Sequence, residues 1–410
     1  MYTNFEKEKL GKTFQYYRHK NNVKWKEINK NSYVSKNVYS KLSKGYVFDN
    51  DDYYDEFLRF FNLPYKQCSD LKKWLDDYIF RLVQSLEYHN TYEISKLHDE
   101  FYESIYEYKE YPIYEQYYIC ISYIFRYYYK NQYLDEYEIQ SIFSLIQSGY
   151  FEKELLVYLL EVMYISNNYS IGNTEIRDAI INVIDKIDDK VLIYIKAIDE
   201  KCKGRLNSAL DLFEKSCEYW KDISPYRRIK SLNGKFMIYK NIDYVKSNQT
   251  IQELLNAMNN NKLPKSLMNS INYSIGIYYF YKKSYLDSLK FLYENVVKFD
   301  GIKEMIFIGS ICTHLQKELP DCFNTIDYSN SNYKQYIDYY KMKKEGRNDN
   351  DLVDYIVNVL MYEKLVHNEY AEPMWRIYEY ELFEFMKKSK KYTKCYIKYK
   401  EMLDKICKYV

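Results

Sequence analysis

The sequence predicts an all-α chain in two parts, a helix-turn-helix domain over residues 1–66 and an α-solenoid of helical hairpins over residues 71–410. Three observations carry this. Only six Pro and ten Gly occur in 410 residues, of which 47 % are hydrophobic, so a large interior can form while helices have few places to stop. No stretch alternates apolar and polar residues as a half-buried strand does. From residue 71 onward, helix-length apolar patterns recur in pairs whose first members start about every 31–42 residues, the period of repeats that bury their apolar faces only against neighbours.

In the first domain a helix is expected over 11–20, followed by two short helices joined by a tight turn in 23–45, VKWKEINKNSYVSKNVYSKLSKG. Val23 and Ile28 fix the first of the pair, and Val34 ends the turn. Val38 and Leu42, four apart, turn the second helix inward, leaving Ser35, Lys36, Asn37, Tyr39, Ser40 and Lys41 outward. Ser35 suits an N-cap and Gly45 a left-handed stop. A further helix over 51–63, carrying Tyr54, Phe57, Leu58, Phe60 and Phe61, closes the small core. These residues resemble the repressor-type (XRE/Cro-like) helix-turn-helix without a gap. Two positions depart from it: Trp25 stands where that family has a phosphate-contacting Gln, and Tyr33 replaces the Gly of the turn, where a positive φ is costly for a bulky side chain. The resemblance implies a DNA surface of Lys24, Trp25, Ser35, Lys36, Asn37, Tyr39, Ser40, Lys41 and Lys44. Charge agrees with it. From Lys7 to Lys44 eleven Lys or Arg stand against Glu8 and Glu27, a net of +9 in a chain whose total is +2. The positive field is therefore confined to this end, as a phosphate-binding surface requires.

After a connector at 64–71, the predicted hairpins are 71–90 with 92–109, 113–130 with 134–148, 152–167 with 174–187, 190–203 with 206–221, and 226–242 with 249–260. They continue as 266–282 with 285–299, 302–317 with 320–327, 333–345 with 350–366, and 372–389 with 391–409. Two of them resemble tetratricopeptide repeats residue by residue: Ala197, Gly204, Leu206, Ala209 and Phe213 in one, Gly276, Tyr279, Tyr285, Ser288 and Leu292 in the other. That resemblance implies a right-handed superhelix. Ala197, Gly234, Gly276 and Gly309 occupy one recurrent small position, and because Gly inside a helix costs ~1 kcal/mol relative to Ala, close helix packing is the expected reason.

Chemistry is sparse. The five His fall in no HExxH or other metal-ligand spacing, and GxxxxGK[ST], GxGxxG and GxSxG are all absent. The sequence therefore predicts no catalytic residue, no metal and no cofactor. His98 beside Asp99 and Glu100 is the nearest approach to an acid-base cluster, and on an amphipathic helix such a triplet faces water. Eight Cys form no CxxC pair, and neither a signal peptide nor a membrane-length apolar run occurs, which predicts a cytoplasmic chain with free thiols and no membrane partner. The 54 Tyr accompany abundant Asn, Lys and Ile, all with AT-rich codons, so genome bias accounts for them better than base stacking does.

Binding remains. In the repeat register the groove-facing set includes Tyr194, Lys201, Arg228, Lys235, Tyr239, Tyr273 and Lys303, with Asn233 and Asn272 nearby. The cations suit a carboxylate, the Asn side chains a peptide backbone, and the Tyr rings apolar pockets, which together suit a short extended peptide. A repressor-type head before tetratricopeptide-like repeats resembles the peptide-pheromone-responsive regulators of Gram-positive bacteria and their phages, the Rgg, NprR, PlcR, PrgX and AimR group. The resemblance implies a transcriptional regulator, of quorum-sensing or phage lysis-lysogeny type, that binds an operator as a homodimer and answers to an oligopeptide in the groove. The C-terminal hairpin is the expected dimer contact, because Ile377, Tyr378, Leu382, Phe383, Phe385, Tyr396, Ile397 and Tyr399 surround it too widely for one neighbouring repeat to cover. The alternative is a non-catalytic protein-binding scaffold with a vestigial head.

Overall fold

The computed structural model describes residues 2–66, 69–147, 151–299, 301–331, 333–360 and 372–406. Cys68, Cys407 and the end of the predicted 350–366 helix lie outside them. Among the described residues the chain is helical throughout, with no strand, and no helix is long and apolar enough to cross a membrane. It divides into two compact units, Met1–Ile238 and Tyr239–Val410.

The first unit opens with α1 (Asn4–Lys20), α2 (Trp25–Asn31), α3 (Lys36–Leu42) and α4 (Asp52–Phe60). α1 begins seven residues before the expected start because Thr3 and Glu6 form a capping box: the Thr3 hydroxyl accepts from the Glu6 N–H, and the Glu6 carboxylate accepts from the Thr3 N–H. Phe14 is the hub of this core. It stacks on Tyr39 at 4.2 Å and meets Phe57 and Phe61 edge-on at 5.8 Å, among buried Leu10, Ile28, Val34 and Leu42. Gly45, at φ +83°, ends α3 as expected: its N–H donates to the Leu42 carbonyl while that of Tyr46 reaches back to Lys41.

The same unit continues with α5 (Ser69–Tyr88), α6 (Thr91–Ile105), α7 (Pro112–Tyr128), α8 (Glu136–Gln147), α9 (Lys153–Ser166), α10 (Thr174–Ile184), α11 (Lys190–Cys202), α12 (Leu206–Tyr219) and most of α13 (Pro225–Ile242). The unit does not part at the 64–71 connector, because carboxylates pin α1 to the helices beyond it. Glu152 holds Lys9 at 2.6 Å, and Glu115 on α7 takes both Lys20 at 2.5 Å and the Tyr17 hydroxyl.

α9 is buried on nearly every side, as an apolar helix at the centre of a unit must be. One carboxylate interrupts it. Glu161, 1 % exposed, accepts from Arg227 at 3.1 Å and from the Tyr128 hydroxyl at 2.8 Å, with the Lys230 ammonium at 3.5 Å. His89 lies by this cluster, stacked on Tyr226 at 4.2 Å. Burial, with the charges of Lys230 and Arg227, pushes its imidazole down to about 4. The unfolded His titrates near 6.5, so stability from this group is complete above that pH and is lost as pH falls toward 4. Urea titrations between pH 7 and 4 should show that loss, at most ~3 kcal/mol, and His89→Asn should flatten it. An unchanged pH profile in the variant would remove His89 as its source.

The second unit comprises α14 (Tyr244–Asn259), α15 (Lys265–Tyr281), α16 (Tyr285–Phe299), α17 (Glu304–His314), α18 (Cys322–Thr325), α19 (Lys334–Lys344), α20 (Asp349–Tyr355), which winds on as a π-turn to Leu360, α21 (Glu372–Lys388) and α22 (Thr393–Ile406). The predicted 320–327 helix shrinks to the single turn of α18. The small positions have the expected packing reason. A Cβ would stand 2.4 Å from Phe213 at Gly234, 2.7 Å from Leu292 at Gly276 and 2.5 Å from Tyr340 at Gly309.

The C-terminal hairpin differs from its expectation. Ile377, Tyr378, Leu382, Phe385 and Tyr399 are buried within the unit, Tyr378 among Tyr336, Tyr339 and Tyr340. Several elements converge on α21 and cover five of the eight apolar residues, while Phe383 and Tyr396 stay half-buried and Ile397 exposed. Among the described residues six Cys are free thiols.

Candidate functional site

α2 and α3 are short helices joined through 32–35. Ser32 closes α2 in extended conformation, and Ser35 caps α3, its hydroxyl accepting from the Val38 N–H at 3.4 Å. Tyr33 is accommodated because its φ is not positive; the ring stands 67 % exposed and its hydroxyl donates to the Asp52 carbonyl at 2.7 Å. Of the expected DNA residues, Lys24, Ser35, Lys36, Asn37, Lys41 and Lys44 are exposed, and Trp25 and Ser40 half-buried.

Tyr39 requires correction. It is fully buried, stacked on Phe14, with its hydroxyl 3.0 Å from that of Ser32, so it cannot face a groove. Tyr39 and Leu42, three apart, form the inward stripe, and Val38 is only half-buried. The reason is size: the gap between α1 and α3 takes a ring over Phe14 where a valine would leave space.

The positive charge sorts into two sets. On α1, Lys9 and Lys20 are paired as above, while Lys7 binds Asp51 at 2.7 Å and Lys12 binds Glu8 at 2.5 Å. On and beside α2 and α3, Lys24, Lys26, Lys30, Lys36, Lys41 and Lys44 are exposed, and none enters an ion pair among the described residues. Trp25 serves as a platform rather than an amide contact. Its ring lies against Phe14 at 5.7 Å, with the Arg18 guanidinium at 5.2 Å and the Lys36 ammonium at 5.4 Å.

The residues expected to line a peptide groove divide between the units. In the first, the Lys230 ammonium stands 4.8 Å from the Tyr194 ring; Lys201, Arg228 and Asn233 are half-buried; and Lys235 is buried in an ion pair with Glu214. In the second, Tyr239 is half-buried with the Lys246 ammonium 5.4 Å from its ring, Asn272 and Tyr273 are 2 % and 5 % exposed, and Lys303 lies 3.9 Å over Tyr273. Burial holds the Lys303 ammonium below its usual range. Lys235, Asn272 and Tyr273 are therefore interior groups, because the faces of α13 and α15 that carry them pack against neighbouring side chains. A cationic α13 does hold a carboxylate, but through Arg227 and Lys230, and that carboxylate is the internal Glu161.

A different feature of the second unit is open. The end of α15 and the start of α16, with α17, α21 and α22, enclose a cleft of ≈ 340 Å³, walled by Phe280, Tyr285, His314, Tyr380, Phe383 and Tyr396, with Lys283, Arg376 and Glu379 as its charged groups among the described residues. The sequence pattern marks Phe383 and Tyr396 only as apolar surface of the C-terminal hairpin. Nothing local joins residues from 280 to 396 into one wall. No protein-family model, curated protein or solved structure matches the chain.

Proposed function

We propose that the protein is a DNA-binding transcriptional regulator, with α1 to α4 acting as a repressor-type helix-turn-helix head and the later hairpins, tetratricopeptide-like in kind, receiving a short signalling peptide. One observation carries the reading. The lysines of α1 are neutralised by carboxylates, whereas those around α2 and α3 are exposed and unpaired, so positive charge gathers around Asn37 and Ser40 on the helix that would enter the major groove. Carboxylates fixing α1 to α7 and to Glu152 would pass a rearrangement of the first unit to the head as a rigid-body motion. One head covers half an operator, so a two-copy complex on half-sites ~34–36 Å apart is expected.

Selection of bound sequences from a random duplex pool, followed by fluorescence anisotropy, tests this. Asn37→Ala should change which operators are preferred by ~1–3 kcal/mol. Lys41→Ala and Lys44→Ala should weaken all duplexes alike and lower the salt slope by ~1 each. Sequence-specific binding that survives alanine at Lys36, Asn37, Ser40 and Lys41 together would refute the assignment of α3. The alternative, a protein-binding scaffold with a vestigial head, draws on Trp25 in place of the phosphate-contacting Gln, and absence of salt-dependent DNA binding would favour it.

A further inference from the structure

The cleft of the second unit, ≈ 340 Å³ in volume, lies at the small end of the range for small-molecule sites, ~300–1,000 Å³. His314 stands within its wall, parallel to Tyr285 at 5.0 Å and edge-on to Tyr380 at 5.2 Å. Phe383 faces Tyr396 at 5.5 Å, and Phe280 meets Tyr285 edge-on at 5.9 Å. Rings so spaced touch one another and form a continuous apolar wall, against whose open faces and edges a further flat or branched apolar group can pack. Tyr380 is 42 % exposed, so its ring is not used up in the core.

The charged groups decide what accompanies that apolar part. Arg376 and Glu379 bind each other at 3.0 Å. Lys283 is exposed and enters no ion pair among the described residues. It also sits where a lysine is costly, at φ +59°, in the left-handed position that follows α15 and that glycine or asparagine usually fills. Among the described residues, three of the other five non-glycine residues with positive φ are Asn and one is His, both tolerant of that region; Lys283 and Gln316 are the exceptions. A lysine held there carries a small strain that glycine would relieve. Burial keeps His314 neutral near pH 7, so the lining charges of the described residues, Lys283, Arg376 and Glu379, sum to one positive. An aromatic box can also hold a cation, but here the lining carboxylate among the described residues, Glu379, is already engaged by Arg376.

The geometry points to this cleft as a binding site for a carboxylate bearing an aromatic or branched aliphatic group, the rings holding the apolar part and Lys283 the charge. The C-terminal residue of a short peptide and a free aromatic acid share that chemistry. The assignment does not rest on DNA binding by the head.

Calorimetry on the full chain separates the possibilities, with N-acetyl-L-phenylalanine, its amide, Gly-Gly-Phe and phenyltrimethylammonium as probes. The acid should bind about tenfold or more tighter than the amide, and the ammonium weaker than either. Gly-Gly-Phe binding more tightly than the acetylated acid would identify a peptide terminus as the source, and the reverse order a free acid. Lys283→Gly removes the charge and relaxes the backbone. It should keep or raise the melting temperature while bringing the affinity for the acid down to that of the amide. Tyr380→Ala should weaken acid and amide alike. Equal binding of acid and amide, preference for the ammonium, an unchanged Lys283→Gly variant, or no binding of any probe at millimolar concentration would each overturn the proposal.

Discussion

Replacing Glu161 with alanine is expected to cost ~3–5 kcal/mol of stability. The carboxylate is the shared partner of Arg227 at 3.1 Å and Lys230 at 3.5 Å, and Arg227 lies between the rings of Tyr158 and Trp220, each 5.3 Å away. Without Glu161, two cations with little access to water lose their compensation. Burial alone would raise the Glu161 carboxyl, but the charges of Arg227 and Lys230 and the Tyr128 hydroxyl outweigh it and hold the group below its usual range. A depressed carboxyl contributes stability that is present above its unfolded pKa and lost as pH falls below it, so the Glu161→Ala difference should narrow under acid conditions, below ~pH 4.5. The control is Glu161→Met combined with Arg227→Met, which removes both charges and should recover much of the loss. Urea unfolding followed by far-ultraviolet circular dichroism reads both variants. A Glu161→Ala cost below ~1 kcal/mol would mean that water reaches the cluster and that the ion pairs do not organise it.

Tyr39→Ala is expected to cost ~3–5 kcal/mol, the usual range for deleting a fully buried aromatic ring, and to abolish the proposed DNA binding by unfolding the head rather than by removing a contact. Its ring covers Phe14 at 4.2 Å, and Phe14 in turn holds Phe57, Phe61 and Trp25. Tyr39→Phe keeps the stack and loses only the contact with Ser32, so it should cost ~1 kcal/mol. Asn37→Ala, on the exposed face of the same helix, should stay within ~0.5 kcal/mol of the parent. Thermal melts of the three variants, recorded without DNA, decide the matter. A Tyr39→Ala protein as stable as its parent would return the ring to the outer surface.

Both predictions depend on which side of a helix faces in, and that is where the sequence was ambiguous. On α3 the pairs Val38 with Leu42 and Tyr39 with Leu42 are equally good helical stripes, and a tyrosine, apolar in body and polar at its tip, suits either side. Only Phe14 across the gap resolves the choice. On α13 the sequence carries Arg227, Arg228, Lys230 and Lys235 in close succession. The register that made Arg228 and Lys235 groove-facing also left Arg227 and Lys230 unassigned, because their partner Glu161 lies more than sixty residues earlier. Asn272 and Tyr273 went inward for the same reason, with Lys303 and Phe307 closing over Tyr273.

By itself the sequence determined the helices and most of their ends. Scarce Pro and Gly, the Ser35 cap and the left-handed stop at Gly45 act within a turn or two, and the four-residue spacing of apolar side chains needs no distant partner. It also determined where positive charge accumulates, since that is a sum over neighbours in the chain. Tertiary structure alone decided which of those charges remain free, which tyrosines are core, and that Phe280, His314 and Tyr380 share one cleft. Burial and ion pairing are set by groups tens to hundreds of residues away, such as Glu115 and Glu152 for the lysines of α1 and Glu161 for Arg227, and no local pattern along the chain encodes those distances.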